Sequence, residues 1–273
     1  MEFSSKQEEK HYYQHIASEQ EFLAWHKNQD HPMYQKPSVT VDMVLLCYNK
    51  DTDQIKVLLI QRRKNPYRNS WALPGGFMTP NESTDDSVIR ETKEETGVTI
   101  SEKNIEQLHT FSTPDRDPRG WVITVSYLAF IGEAILSAGD NASQARWFSL
   151  ERKNNCLYLT NDDTEIILDL KTQASLGKDT LAFDHSQIIT KAFNRIVNKM
   201  DHEPQVLQVL GDTFTITEAR KVFAKFLGID YHAIDHSNFK KSLTGFLDEV
   251  GERPASIGRP SKLYQLKENF HEK

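Results

Sequence analysis

The chain has 273 residues, 38% of them hydrophobic, and a formal charge of −6. That length allows one large domain or two ordinary ones, and the apolar content excludes an extensively disordered chain. The acidic balance argues against indiscriminate binding to nucleic acid while leaving room for a local basic face. Two cysteines, Cys47 and Cys156, form no ligand cluster and suit a reducing compartment. MEFSSKQEEK lacks the apolar stretch of a secretory signal, and YLAFIGEAIL is too short for a bilayer and carries Glu133. A cytoplasmic protein without a membrane partner is therefore expected.

In chain order, residues 1–36 are polar with one amphipathic patch, EQEFLAWHKNQ, read as a short helical extension. From Pro37 the character changes. SVTVDMVLLCYN and QIKVLLIQRR are β-branched, apolar runs separated by the hairpin signal KDTDQ. SWALPGGFM ends in a Pro-Gly-Gly break, and a helical pattern begins at Ser83. EQLHTFSTP and WVITVSYLAFIG give further strands around the polar loop DRDPRG, and ARWFSL closes this part near residue 150. Strands mixed with one central helix predict an α+β (mixed α/β) domain over 37–152. Trp71 and Trp147 are read as core.

The remainder reads as helical. DDTEIILDLKTQA, within 153–184, is taken as a helical linker, and SQIITKAFNRIVNKM shows the same 3.6-residue spacing. In TITEARKVFAKFLG, Thr215 and Glu218 fit a capping box and Gly228 a C-terminal stop. SNFKKSLTGFLDEV reads as another helix, and GERPASIGRPSKLYQL as a hairpin turned by glycine and proline. Helix, turn, helix and hairpin predict a winged helix-turn-helix over 185–273. His185, His202 and His236 lack metal-ligand spacing and are read as ordinary polar contacts.

The segment GGFMTPNESTDDSVIRETKEETGV carries the chemistry. On a helix from Ser83, Asp85 and Asp86 occupy the favourable first turn. Glu91, Glu94 and Glu95 stand at i, i+3 and i+4, so their carboxylates share one face. Like charges at that spacing repel by a few tenths of a kcal/mol per pair, roughly, and a hard cation reverses the sign. Gly75 and Gly76 allow the backbone to turn beside the site, and Gly97 can end the helix.

The spacing Gly76, five residues, Glu82, seven residues, Arg90-Glu91, two residues, Glu94-Glu95, one residue, Gly97 resembles the Nudix box. Thr92 departs from it, standing where the family has an aliphatic residue that packs beneath the helix. The resemblance implies a Nudix fold and a metal-dependent hydrolase acting on a nucleoside diphosphate joined to another group. Mg²⁺ or Mn²⁺ would be held by Glu91, Glu94 and Glu95, with a backbone carbonyl such as that of Gly76, and Arg90 would brace the carboxylates. Glu82 is a lesser candidate ligand. The general base is left open, with Asp140 and Glu133 as candidates.

STPDRDPRGWVITVSYLAF resembles the stretch that meets the ligand in ADP-ribose-binding Nudix proteins, which makes Arg116 and Arg119 candidates for phosphate or ribose and Trp121 for stacking. Arg62 and Arg63 are alternative phosphate contacts. LAFDHSQII, FTITEARKVFAKFLG, SNFKKSLTGFL and GRPSKLYQL resemble the Nudix-related transcriptional regulators of NAD metabolism, which implies a winged helix that binds duplex DNA behind an ADP-ribose-sensing domain; a homodimer is expected because one helix reads only a few base pairs. Asn238, Lys240, Lys241, Arg253, Arg259 and Lys262 would contact it, although the basic bias of this region is modest. Two readings follow: a Mg²⁺-dependent hydrolase turning ADP-ribose into AMP and ribose 5-phosphate in a protein of regulator architecture, or a DNA-binding regulator that senses ADP-ribose without turnover. The intact box favours the first.

Overall fold

The first 36 residues form a unit of their own. Helix α1 (Lys6–His15) opens on Ser5, and α2 (Glu19–Lys27) opens on a capping box between Ser18 and Glu21. That second cap restarts the chain and gives two helices where the sequence reading has one. Tyr13 stacks on Trp25 at 4.9 Å and the Trp25 indole donates to Glu9, which pins the pair together. The computed structural model describes residues 3–29, 35–137, 139, 142–162, 164–254 and 260–267.

Pro37 onward forms the second unit. Strand β1 (Ser38–Asn49) is buried along nearly its whole length, which is why its stretch Met43–Tyr48 is a continuous apolar run rather than an alternating one. There follow β2 (Gln54–Arg62), β3 (Trp71–Ala72) and β4 (Gly75–Phe77), then helix α3 (Thr84–Thr96). Next come β5 (Ile105–Phe111), β6 (Val122–Gly132), β7 (Ala142–Lys153), β8 (Cys156–Asn161), β9 (Thr164–Asp169) and β10 (Ser175–Leu176). Among the described residues these ten strands make one mixed sheet, ordered β10-β9-β8-β7-β2-β1-β6-β5, with β3 beside β2 and β4 beside β1. Among the paired strands of the described residues only β1 and β6 run parallel, in register from Ser38↔Val122 to Tyr48↔Gly132.

The two faces of β1 feed two cores. Val41, Met43 and Leu45 pack with Val88, Val98, Ile100 and Tyr127 beneath α3. Val44, Leu46 and Tyr48 face the other way, into a larger cluster with Phe148, Leu159 and Leu168 from the sheet. That cluster continues through Phe193 of α4 (His185–Lys199), Val206 and Leu207 of a 3-10 turn, and Phe223 and Phe226 of α5 (Ile216–Leu227). It ends at Phe239 and Leu243 of α6 (His236–Leu243) and at Tyr264 of the hairpin β11 (Leu247–Arg253) and β12 (Ser261–Leu266). Full burial of each Leu, Ile or Phe contributes roughly 1.5–3 kcal/mol, so the winged helix and the sheet are joined by a substantial apolar seam.

Two expectations need correction. The 153–184 segment is no helical linker: β8, β9 and β10 extend the sheet, with Ile166 and Leu168 buried and their neighbours less so. The run Ile166-Ile167-Leu168 fits either period, and β pairing with Leu157 and Leu159 decides it. The helix read through SNFKKSLTGFLDEV stops at Leu243, and Leu247–Val250 begin β11. The winged-helix order of helix, turn, helix and hairpin is present, with Thr215 capping α5 and Gly228 ending it at φ +69°.

Candidate functional site

Local chemistry fixes α3 at both ends. Ser83 and Asp86 form a reciprocal capping box, and Gly97 takes φ +75° at the C-terminus, where a Cβ would meet the Ser137 hydroxyl at 2.1 Å. Between them the acidic face folds back on β4. A Cβ at Gly76 would sit 2.5 Å from the Glu91 carboxylate, so glycine lets the strand pass without displacing that side chain. The Gly75 N–H donates to Glu95 Oε2 at 2.9 Å.

Arg90 organises the rest. Its guanidinium donates to both oxygens of Glu82 at 3.0 and 2.8 Å, to Glu91 at 2.7 Å and to Glu94 at 3.2 Å. Those bonds hold Glu82 at a pKa of about 2 and raise that of Arg90. The two carboxyls turned inward behave oppositely. Burial pushes Glu91 up, against the pull of Arg90, and pushes Glu95 up to about 8 despite the Gly75 N–H. Two acids raised by burial, with Glu91 raising Glu95 further, are a donor set short of positive charge, of the hard oxygen type that a divalent cation satisfies. Among the described residues no three acidic, His or Cys side chains converge into a ready-made cage. Glu94 is turned out toward Arg90, with 59% of its side chain exposed. The residues present fit a divalent metal by donor chemistry, with Glu91 and Glu95 inside and Glu94 within reach on the same face.

A cavity of about 330 Å³ opens in front of these acids, lined also by Arg62, Arg63, Lys64, Phe77 and Arg119. It shares Arg62, Gly75, Gly76, Phe77 and Arg119 with a narrower recess walled by Asp42, Arg116, Asp117, Phe183 and His185. Arg119 lies over Phe77 at 4.7 Å and Phe183 at 5.5 Å, held by Asp117 through Nε at 2.9 Å and Nη2 at 2.6 Å. Arg62 also lies over the Phe183 ring, at 4.8 Å, and donates to the Pro66 carbonyl. Burial lowers its pKa, first of all, and Arg119 lowers it further, as expected where two cations share one anion-seeking space.

The sequence candidates divide here. Glu91, Glu95, Gly76, Arg62, Arg63 and Arg119 line the cavity together, and Arg90 sits behind the carboxylates. Arg116 does not offer a free guanidinium as a phosphate or ribose contact. Its Nε and Nη2 close on Asp184 at 2.9 and 2.5 Å, with 4% of the side chain exposed. Trp121 is exposed and lines neither space. Glu133 pairs with Lys56 at 2.8 Å, away from the cavity, and Asp140 lies outside the described residues. Thr92, the departure from the box, is fully buried and bonds its hydroxyl to Val88 O at 2.7 Å. Sequence reasoning missed Asp42, Asp117, Phe77, Phe183 and Asp184. His185, read as an ordinary polar contact, is buried with Nδ1 accepting from Leu73 N–H, and burial lowers its pKa.

On the winged helix, Asp235 caps α6 through Asn238 N–H, and Asn238, Lys240 and Lys241 stand exposed along it. Lys240 lies over the Tyr264 ring at 5.6 Å. Arg253 pairs with Glu218 at 2.9 Å and Lys262 with Glu249 at 2.6 Å. Arg259 lies outside the described residues. Among those residues no helix is long and apolar enough to cross a membrane.

Comparison with known proteins places this arrangement. The NUDIX domain matches residues 36–170, and the NrtR DNA-binding winged helix domain matches residues 206–266. The chain belongs to the Nudix family, in the group that carries an NrtR-type winged helix. It is 30% identical to the ADPR responsive transcriptional repressor NtrR of Acinetobacter baylyi, over 92% of this chain and 89% of that protein. It is 41% identical to the ADP-ribose pyrophosphatase of Methanocaldococcus jannaschii, over 50% of this chain and 75% of that protein. A crystal structure of a MutT/nudix family protein from Enterococcus faecalis is 69% identical, with a TM-score of 0.93, covering 97% of this chain and 100% of that one.

Proposed function

We propose that the protein is a DNA-binding regulator responsive to ADP-ribose that retains a working Nudix centre, so that ADP-ribose is both its signal and its substrate. One observation carries this reading: every charged position of the box is present, with Glu82, Glu91 and Glu94 bonded to Arg90 and Glu95 to the Gly75 N–H, in a chain whose winged helix packs on the same sheet. The similarity to an ADPR responsive repressor over nearly the whole chain, and to an ADP-ribose pyrophosphatase over the Nudix part, supports it.

In this reading Glu91, Glu94 and Glu95, with the Gly76 carbonyl, hold Mg²⁺ or Mn²⁺. When bound, the metal neutralises the diphosphate and acidifies a water. Glu95 must lose its proton to serve, and Arg90 keeps Glu91 and Glu94 on one side by opposing their repulsion. Arg62 and Arg119 orient the diphosphate in the cavity before the acids, and the Phe77 and Phe183 rings hold the arginines at the wall. The lysines of α6 engage DNA phosphates, and two copies related by a twofold axis supply two half-sites.

The experiment incubates the protein with ADP-ribose, 8-oxo-dGTP and a diadenosine polyphosphate in Mg²⁺ and follows AMP release, beside DNA binding with and without ADP-ribose. AMP and ribose 5-phosphate should form from ADP-ribose in preference, and ADP-ribose should change DNA affinity. A nucleoside triphosphate preferred by a wide margin, or DNA binding no different from random sequence, defeats the corresponding half of the reading.

A further inference from the structure

The segment Leu181–His185 lies between the two family matches, 36–170 and 206–266, yet it walls the ligand recess. It is fastened to the strands beside the box. Ala182 N–H donates to Trp71 O at 2.8 Å, and the Leu73 N–H donates to His185 Nδ1 at 2.8 Å. Phe183 is held at φ +52°, an uncommon conformation for a bulky residue. The segment then becomes α4, which carries Phe193 onto Phe226 of α5 at 5.5 Å and ties Arg195 and Lys199 to Glu106. The same fifteen-residue helix therefore begins at the recess and packs along its length against α5 of the winged helix.

Asp184 stands at the N-cap of α4, the position where an aspartate most favours bonding the helix's free N–H groups. Its side chain makes no cap bond. Both carboxylate oxygens are given to Arg116, whose fork is buried and lies 3.8 Å from Asp42 as well. A guanidinium fork closed on one carboxylate cannot close on a diphosphate at the same time. A diphosphate in the recess would compete with Asp184 for Arg116, while the free N–H groups of α4 lie beside the same carboxylate.

We propose that Asp184 is a two-position latch: it closes on Arg116 when no anion fills the recess, and it turns to cap α4 when a diphosphate takes Arg116. This rests on the ADP-ribose-responsive reading and deepens it, because the cap change alters the first turn of the helix that bears on the winged helix. Reciprocity gives a signature that a merely structural ion pair lacks. If Asp184 competes with the ligand for Arg116, removing its charge strengthens ligand binding while it weakens the coupling to DNA.

The test uses full-length protein and Asp184→Asn, which keeps a residue able to cap and removes the carboxylate. ADP-ribose affinity is measured by calorimetry in chelator, which prevents turnover. DNA affinity, with and without ADP-ribose, is measured on a duplex that the wild-type protein selects from a random pool. The variant should bind ADP-ribose at least threefold more tightly, and the ligand's effect on its DNA affinity should fall below twofold. In wild-type protein, whatever the variant's folding, ADP-ribose should slow hydrogen exchange at the Ser186 amide, since that of Gln187 already donates to the Asp184 carbonyl at 2.9 Å. A folded variant that binds ADP-ribose with equal or lower affinity, or a wild-type Ser186 amide whose exchange does not slow, overturns the latch alone. Wild-type protein that binds no ADP-ribose, or selects no DNA, overturns the reading beneath it.

Discussion

The acids of α3 and the lysines of α6 are both charged helix faces, and they are built in opposite ways. In α3, Glu91 and Glu95 are buried, every box carboxylate has a donor, and one arginine spans Glu82, Glu91 and Glu94. In α6, Asn238, Lys240 and Lys241 stand in solvent. Hydrolysis needs charges placed before the substrate arrives, within tenths of an ångström and shielded from water. A DNA backbone is a line of charge that long, solvated side chains can reach without prior placement. Order is built where bonds are to be broken, and reach where a polyanion is to be held.

The sharpest way to break this contrast is Glu95→Gln. AMP release from ADP-ribose should fall by on the order of 100-fold or more, since even the outer partners of a metal site cost 10–100-fold, and circular dichroism should be unchanged. Unaltered turnover would mean that the ordered face is not the metal site.

At the other face, Lys240→Ala/Lys241→Ala should reduce the slope of log affinity for DNA against log salt by about two units. Arg253→Ala and Lys262→Ala should each reduce it by less than one, because Glu218 and Glu249 already hold those cations. Equal slopes for all four residues, obtained from mobility-shift titrations, would remove the distinction between solvent-exposed lysines and carboxylate-paired cations.

Arg119→Ala should weaken ADP-ribose binding by roughly tenfold, about 1.4 kcal/mol, with DNA binding in the absence of ligand unaffected. Calorimetry in chelator reads the first quantity and fluorescence anisotropy the second.

Burial should also show in stability. Without metal, the folded chain keeps the Glu95 proton to about pH 8, whereas the unfolded chain releases it in the ordinary carboxylate range. The folded state therefore binds more protons across that window, and stability falls as pH rises through it, by roughly 2 kcal/mol between pH 6 and pH 8. Thermal melts in chelator should give a lower Tm at pH 8 than at pH 6, and Glu95→Gln should flatten the difference. Smallest of all, Thr92→Val should change stability by less than about 1 kcal/mol and leave turnover intact, since the hydroxyl serves only its own helix.

What the sequence made legible was local and periodic. The box spacing sets the α3 face, and Ser83, Gly97, Thr215, Glu218 and Gly228 punctuate helices where their chemistry requires it. The misreadings share a different origin. Ile166-Ile167-Leu168 satisfies helix and strand patterns alike, and only pairing with a distant strand turns it into β9. Arg116 was legible as a loop arginine near the ligand, but its partner Asp184 lies 68 residues away. Asp117 was a charge in a polar loop until burial beneath Arg119 gave it a role. Phe183 carried no signal at all, because its value comes from the two cations that fold onto it.

The continuous cluster that runs from Val44 through Phe193 and Phe226 to Tyr264 has a consequence for how the protein melts. A DNA-reading module tethered by a linker would unfold on its own, and a calorimeter would record two events. Here the helices of the winged helix form one wall of the sheet's interior, so separating them opens the apolar side of β1, β7 and β8 to water. From Pro37 on, the chain should lose its structure in one cooperative step, and a winged helix expressed alone should be sticky and poorly folded. The module cannot be exchanged like a cassette, because to remove it is to uncover the floor on which the box is built.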